Sequence, residues 1–260
     1  MYSKTQSFLV FHSTVQVPSI PKTMASLPTS PIAGVRFPIT DLTSKTFAYV
    51  SEHNTPTVAN HVIRSTLFAL IISRKVPPYA ICDAETIFLA TLMHDLGWSS
   101  TPSLISKDKR FEVDGANAAR DFITSSASAH DSKWTEQRVQ LIWDAIAMHT
   151  SPSISLHGQP GVAVVTYGIT ADFFGPNTPG GVITADEFKE VVKAYPRLDF
   201  EAELQRITCS LCTNKPETTY DNFVGLFGCR DVPGYKEEWE KHQVPEMLDG
   251  ALKACKEFED

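Results

Sequence analysis

From Thr43 onward, apolar residues recur at three- and four-residue steps, the spacing of one helix face. Asn54-Thr55-Pro56 stops a first short helix over 44–53. Val58, His61, Ser65, Phe68 and Ile72 fall on one line and predict a helix over 57–74, terminated by Pro77-Pro78. Asp83 is placed to cap the next helix, with Glu85 in its first turn. That helix is expected to run to about residue 96, with Gly97 as its C-terminal residue. Further helices are predicted over 113–124, 134–149 and 161–174. Thr184-Ala185-Asp186-Glu187 is a capping box that opens a helix to about 195, and segments 198–213 and 237–258 complete the set. No period-two strand and no internal repeat interrupts this pattern. The expectation is an all-α fold, one domain of about eight helices over residues 40–260.

The first forty residues break the pattern. They hold no Asp or Glu and only Lys4, Lys22 and Arg36 as basic charges. Residues 1–39 therefore read as a disordered extension, with an organelle transit peptide as the alternative and Met24, ahead of Ala25-Ser26-Leu27, as an alternative start.

Composition narrows the functional classes. The chain is 42% hydrophobic and 20% charged with a net charge of −7 and no basic block, which argues against a nucleic-acid partner. No apolar run reaches about 18 residues, so no membrane span is expected. Cys209 and Cys212 form a CxxC without a second pair at zinc-ribbon spacing. They read as buried core thiols in a reducing compartment. The expected placement is cytoplasmic, with mitochondrial targeting by the extension left open. The expected partner is a small-molecule substrate. Homo-oligomerisation stays open, with the amphipathic helix after Thr184 and the C-terminal helix as candidate interfaces.

The candidate chemistry starts at His94-Asp95. The pair closes the apolar run Ile87-Phe88-Leu89-Ala90-Thr91-Leu92-Met93, and two ionisable groups at a buried helix end are costly unless compensated. A second pair, His130-Asp131, sits in a Ser/Ala-rich polar stretch and serves as a control without function. His61 lies on the inward line of its helix, His149 aligns with Ile142, Ala145 and Ile146, and Asp172 aligns with Val165, Gly168 and Ile169. Each has an ordinary reading: a hydrogen-bonded core histidine, or an inward aspartate paired with an arginine, for which Arg64 is the obvious partner. One divalent ion would compensate several of these groups at once. A set of two histidines and two aspartates suits Zn²⁺, and Fe²⁺ or Mn²⁺ as well.

Asn60-His61 followed by Arg64, then His94-Asp95, then the distant Asp172, resembles the H…HD…D pattern of the HD-domain metalloenzyme superfamily. The stretch Arg110-Phe111-Glu112-Val113-Asp114-Gly115-Ala116, together with Ile146-Ala147-Met148-His149-Thr150 and Gly168-Ile169-Thr170-Ala171-Asp172, is more specifically similar to its cyanamide hydratase-like branch of fungi and yeasts. The likeness covers roughly residues 40–230. It implies His61, His94, Asp95 and Asp172 as ligands of one Zn²⁺ and His149 in the substrate pocket. It also implies a hydro-lyase that hydrates cyanamide, or a related small nitrile-like compound, to urea by attack of a metal-activated water.

Within that chemistry Asp95 is expected to act as ligand and proton shuttle and His149 to orient substrate or relay the proton. Asn60 is expected to hydrogen-bond in the pocket and Trp98 to wall it. Glu112 reads as a surface or supporting carboxylate rather than a catalytic one. The alternative activity is an HD-type metal-dependent phosphohydrolase acting on a nucleotide or phosphate monoester. It needs cationic clamps, and the candidates Arg64, Lys107, Lys109 and Arg110 do not adjoin His94, Asp95, His149 or Asp172 in the sequence.

Overall fold

A computed structural model describes residues 26–127 and 132–258. The control pair His130-Asp131 lies outside the described residues, as does Met24 with the rest of 1–25. Within them the chain is all-α, and an isolated bridge between Ile32 and Val35 is its sole β pairing. Twelve α-helices form where about eight were expected. They are α1 (Asp41–His53), α2 (Pro56–Lys75), α3 (Ala84–Met93), α4 (Phe111–Ser126), α5 (Glu136–Ala147), α6 (Pro152–Ser155), α7 (Pro160–Phe174), α8 (Ala185–Ala194), α9 (Phe200–Asn214), α10 (Phe223–Asp231), α11 (Tyr235–Lys241) and α12 (Val244–Cys255). Among the described residues no helix is long and apolar enough to cross a membrane.

Local chemistry sets the starts of the site-bearing helices. Thr55 accepts from the Val58 amide while Pro56 takes the first-turn place that needs no donor, which opens α2. Asp83 accepts from the Thr86 amide and opens α3. Thr40 with Thr43, and Thr184 with Glu187, close reciprocal capping boxes on α1 and α8. Helix α2 is the axis of the molecule. Val58, Val62, Leu67, Phe68 and Ile72 are all buried, and α2 packs on α3 and α7. Gly168 makes the α2–α7 contact close, because a Cβ there would fall 2.4 Å from the Ala69 Cβ. Helices α4 and α5 complete the main bundle. A smaller apolar cluster of Phe111, Cys212, Val224 and Tyr235 joins α9, α10 and α11 to the start of α4.

Several expectations are corrected. Residues 32–37 are part of the domain: Ala33, Val35 and Phe37 are buried, and the Phe37 ring meets Phe88 edge-on at 5.3 Å. The expected C-terminal helix over 237–258 is two, because Pro245 lacks an amide hydrogen and takes a first-turn place in α12. Helix α12 buries none of its residues and leaves Met247, Leu248 and Leu252 exposed. Helix α10 was not among the expected helices. Of the cysteines, all free thiols, only Cys212 is buried; Cys209 is half-buried. Finally, α3 ends at Met93, not near 96, so His94 and Asp95 occupy the turn beyond it.

Candidate metal centre

That turn is shaped by the α4 backbone. Gly97 has an ordinary helical-side φ, so it is not a left-handed cap; its missing side chain makes room, since a Cβ would lie 1.9 Å from the Phe111 carbonyl oxygen. Gly115, one turn into α4, likewise faces the His94 carbonyl oxygen, 2.8 Å from where its Cβ would be. The tight seat of α4 therefore holds the His94-Asp95 turn against the ends of α2 and α5.

Three imidazoles converge on one carboxylate there. His61 Nε2 is 3.5 Å and His94 Nε2 is 3.1 Å from Asp95 Oδ2, and His149 Nε2 is 3.9 Å from Asp95 Oδ1. His61, His94 and Asp95 are essentially fully buried and His149 nearly so. Each ring spends its other nitrogen on an acceptor. His94 Nδ1 lies 2.7 Å from the Thr91 carbonyl oxygen, His149 Nδ1 2.7 Å from that of Ile146, and His61 Nδ1 2.7 Å from Asp172 Oδ2. Carbonyls and carboxylates only accept, so Nδ1 carries the hydrogen in each ring. Three Nε2 lone pairs are thus turned toward carboxylate oxygens that are also acceptors. His94 Nε2 and both Asp95 oxygens have no hydrogen-bond partner, although all are buried. With the His94 ring neutral, the short His94–Asp95 separation sets two acceptors against each other. A cation bound among these atoms resolves the conflict. The ligand atoms of His61, His94 and Asp95 all lie within 4.8 Å of one another, a spacing one ion can bridge.

Asp172 takes a different place from the fourth-ligand position expected of it. Arg64 Nε and Nη2 donate to its two oxygens, each at 2.7 Å, and His61 Nδ1 shares Oδ2. Both oxygens are engaged, so in this structure Asp172 backs His61 from behind. The ordinary reading of an inward Asp–Arg pair holds, and Arg64, remote from Asp172 in the sequence, is in direct contact with it. Arg64 Nη1 also reaches the Tyr195 and Pro196 carbonyls at 3.2 Å, and Arg197 donates to the Asp172 carbonyl. Asn60 is not turned into a pocket beside the trio: its side-chain amide donates to the Pro196 carbonyl at 2.8 Å and secures the same connection. The ring of Phe200 stacks on His61 at 4.4 Å and 20°.

On the His149 side, Phe111 meets His149 edge-on at 5.7 Å and Trp98 lies against Phe111 at 5.1 Å. Trp98 is thus one ring removed from His149, with its indole nitrogen buried and unpartnered. Thr150 follows His149 and donates to Glu112 Oε1 at 2.5 Å, which also accepts from Arg110 Nη2 at 2.7 Å. The role of Thr150 was missed. The available signal was a glutamate between Phe111 and Val113 at a helix start, a carboxylate bound to be buried and to need donors.

The electrostatics follow from this packing. Burial, with the nearby His94, pushes His149 down to about 4, so its imidazole is neutral at neutral pH. Burial also lowers His61, against the pull of Asp172 and Asp95. Burial raises Asp172 and Asp95, but their partners outweigh it: hydrogen bonds from His61 and Arg64 bring Asp172 to about 2, and the surrounding histidines, His94 foremost, lower Asp95.

Residues 58–178, which hold all five of these histidines and aspartates, match the HD domain family model. This segment is similar to the HD domain family. No curated protein matches the chain. A His-His-Asp group that can hold a metal, set in a segment similar to HD domains, suits metal-dependent hydrolase-type chemistry.

Proposed function

We propose that this protein hydrates cyanamide, or a related small nitrile-like compound, in a metal-dependent reaction that yields urea from cyanamide. The observation that carries the reading is the convergence of the three unprotonated Nε2 atoms on Asp95, whose oxygens have no donor. His61, His94 and Asp95 would hold the ion, with Zn²⁺ suited to the donor set and Fe²⁺ or Mn²⁺ also accommodated. When bound, such an ion supplies Lewis acidity toward a nitrile nitrogen and acidifies water.

The protein's own groups then handle protons and exclude solvent. Hydration adds one water across the C≡N bond: the oxygen bonds to carbon, one water proton goes to the nitrile nitrogen to give isourea, and the second moves from oxygen to nitrogen as isourea tautomerises to urea. Asp95 Oδ1 and His149 Nε2, 3.9 Å apart and both free of hydrogen at neutral pH, form the pair that takes a water proton and passes it on. Phe111 and Phe200 press on His149 and His61 and keep the centre dry. A small neutral substrate also agrees with the charge balance. The arginines near the centre are already engaged, Arg64 on the Asp172 carboxylate, Arg110 on Glu112 and Arg197 on the Asp172 carbonyl. These engagements disfavour a phosphate clamp and with it the phosphohydrolase reading.

The test is metal analysis of the purified protein together with assays for urea from cyanamide and for phosphate from a phosphomonoester and a nucleotide. The expected result is about one metal per chain and urea formation, with His94→Ala losing the metal and roughly 10²-fold or more of the rate. Phosphate release without urea would overturn the substrate assignment. Metal content and rate unchanged in His94→Ala would overturn the site.

A further inference from the structure

The turn that carries His149 follows α5 after Ala147. The His149 side chain hydrogen-bonds only within its own turn, from Nδ1 to the Ile146 carbonyl. Among the described residues, the side-chain hydrogen bonds that tie this turn to another element are those of Thr150. Its hydroxyl donates to Glu112 Oε1 at 2.5 Å, and Arg110 Nη2 approaches it at 3.5 Å. Glu112 is 1% exposed and is held by Arg110 through Nη2 at 2.7 Å and Nε at 3.4 Å. Arg110 in turn reaches out to the exposed Asp221, 3.7 Å away. A buried carboxylate is expensive, and this one neither belongs to the ligand trio nor faces Asp95 within hydrogen-bond range. Its neighbour Phe111 presents its carbonyl to Gly97 and its ring edge to His149. The Arg110–Glu112 turn therefore touches both halves of the centre: the His94-Asp95 turn through backbone, and the His149 turn through Thr150.

We infer that Glu112 and Thr150 are positioning residues that set the His149 imidazole opposite Asp95, with Arg110 holding Glu112 in place. The inference rests on the proposed hydration reaction for its kinetic readout, but not for its structural one. Misplacing a proton-handling group by a fraction of an ångström slows the chemical step and leaves substrate binding largely intact.

The experiment uses the full-length, metal-loaded protein and its Thr150→Val, Thr150→Ser and Glu112→Gln variants. Metal per chain, thermal midpoint, kcat and KM for cyanamide, and the ¹⁵N resonances of the His149 ring, assigned with His149→Gln, are measured. Thr150→Val is expected to keep its metal, to shift the His149 ring resonances and to lower kcat roughly tenfold with little change in KM. Thr150→Ser restores both, because it keeps the hydroxyl. Glu112→Gln, which retains shape but weakens the acceptor, falls between and stands in should Thr150→Val not fold. Wild-type resonances and kcat in the folded Thr150→Val protein, or in Glu112→Gln where it stands in, would overturn the inference. So would a loss of kcat that Thr150→Ser fails to restore. If the wild-type protein forms no urea, the hydration reading fails, and the His149 ring resonances still decide the positioning role.

Discussion

At the scale of single residues, the centre is defined by protonation. The Nδ1 of His61, His94 and His149 donates to an oxygen, and this leaves all three Nε2 atoms as bases around one carboxylate. The pH dependence of stability follows. His149 has an ordinary value near 6.5 unfolded and about 4 folded, so between those values the unfolded chain binds the extra proton. Stability from this group is fully present above about 6.5 and is lost as pH falls toward 4. The full shift corresponds to ~3 kcal/mol. Asp172, at about 2, stays ionised through that window and loses its contribution only below it. Thermal unfolding of the metal-free protein between pH 7 and 4 should show the fall, and His149→Gln should flatten it. An unchanged slope in that variant would assign the effect to other groups.

At the scale of elements, close approach of helices positions the ligands. His61 rides on α2 and Asp172 on α7, and Gly168 lets these two helices meet at Ala69. Gly168→Ala would drive a methyl into the Ala69 backbone and side chain, with contacts of 2.4–2.7 Å to relieve. The expected cost is ~1–3 kcal/mol from overpacking, read by chemical denaturation, with weaker metal retention because His61 and its Asp172 backing move apart. Full stability and full metal content in this variant would mean that the interface yields freely. The helical spans themselves were largely legible: 57–74, 161–174 and 198–213 appear as α2, α7 and α9 within a few residues. Boundaries shifted where a tertiary contact intervened, as at α3, which stops at Met93 so that Gly97 can pass under the Phe111 carbonyl. Helix α10 was not legible, because its Phe223-Val224-Gly225-Leu226 start has no long polar alternation to mark one face.

At the scale of the whole molecule, two apolar clusters share one seam. Lys215, at the end of α9, is 4% exposed on its side chain, as is Asp114 of α4, and the two pair at 2.7 Å. Lys215 also donates to the Lys109 carbonyl at 2.9 Å. Lys215→Ala would leave the Asp114 charge buried without its partner, which typically costs ~3–5 kcal/mol. The loop before α4 should loosen with it, and amide exchange in residues 103–110 should rise. Unchanged exchange there would show that the Phe111–Cys212–Val224–Tyr235 cluster holds the seam unaided.

The sequence by itself determined the helical class, most helix positions and the inward placement of His61, His94, Asp95, His149 and Asp172, because periodicity and capping are local properties of the chain. It also placed the H…HD…D order that the HD domain match over 58–178 supports. The tertiary structure decided what each of those groups does. Spacing along helices specifies which face a side chain occupies, but not which nitrogen points where or who reaches a carboxylate first. Arg64 reaches both Asp172 oxygens, Asn60 turns to Pro196, Thr150 finds Glu112, and the hydrogen bonds at Nδ1 settle the tautomers. Those outcomes depend on side chains that lie 38 to 136 residues apart meeting in three dimensions, and no local pattern encodes that meeting.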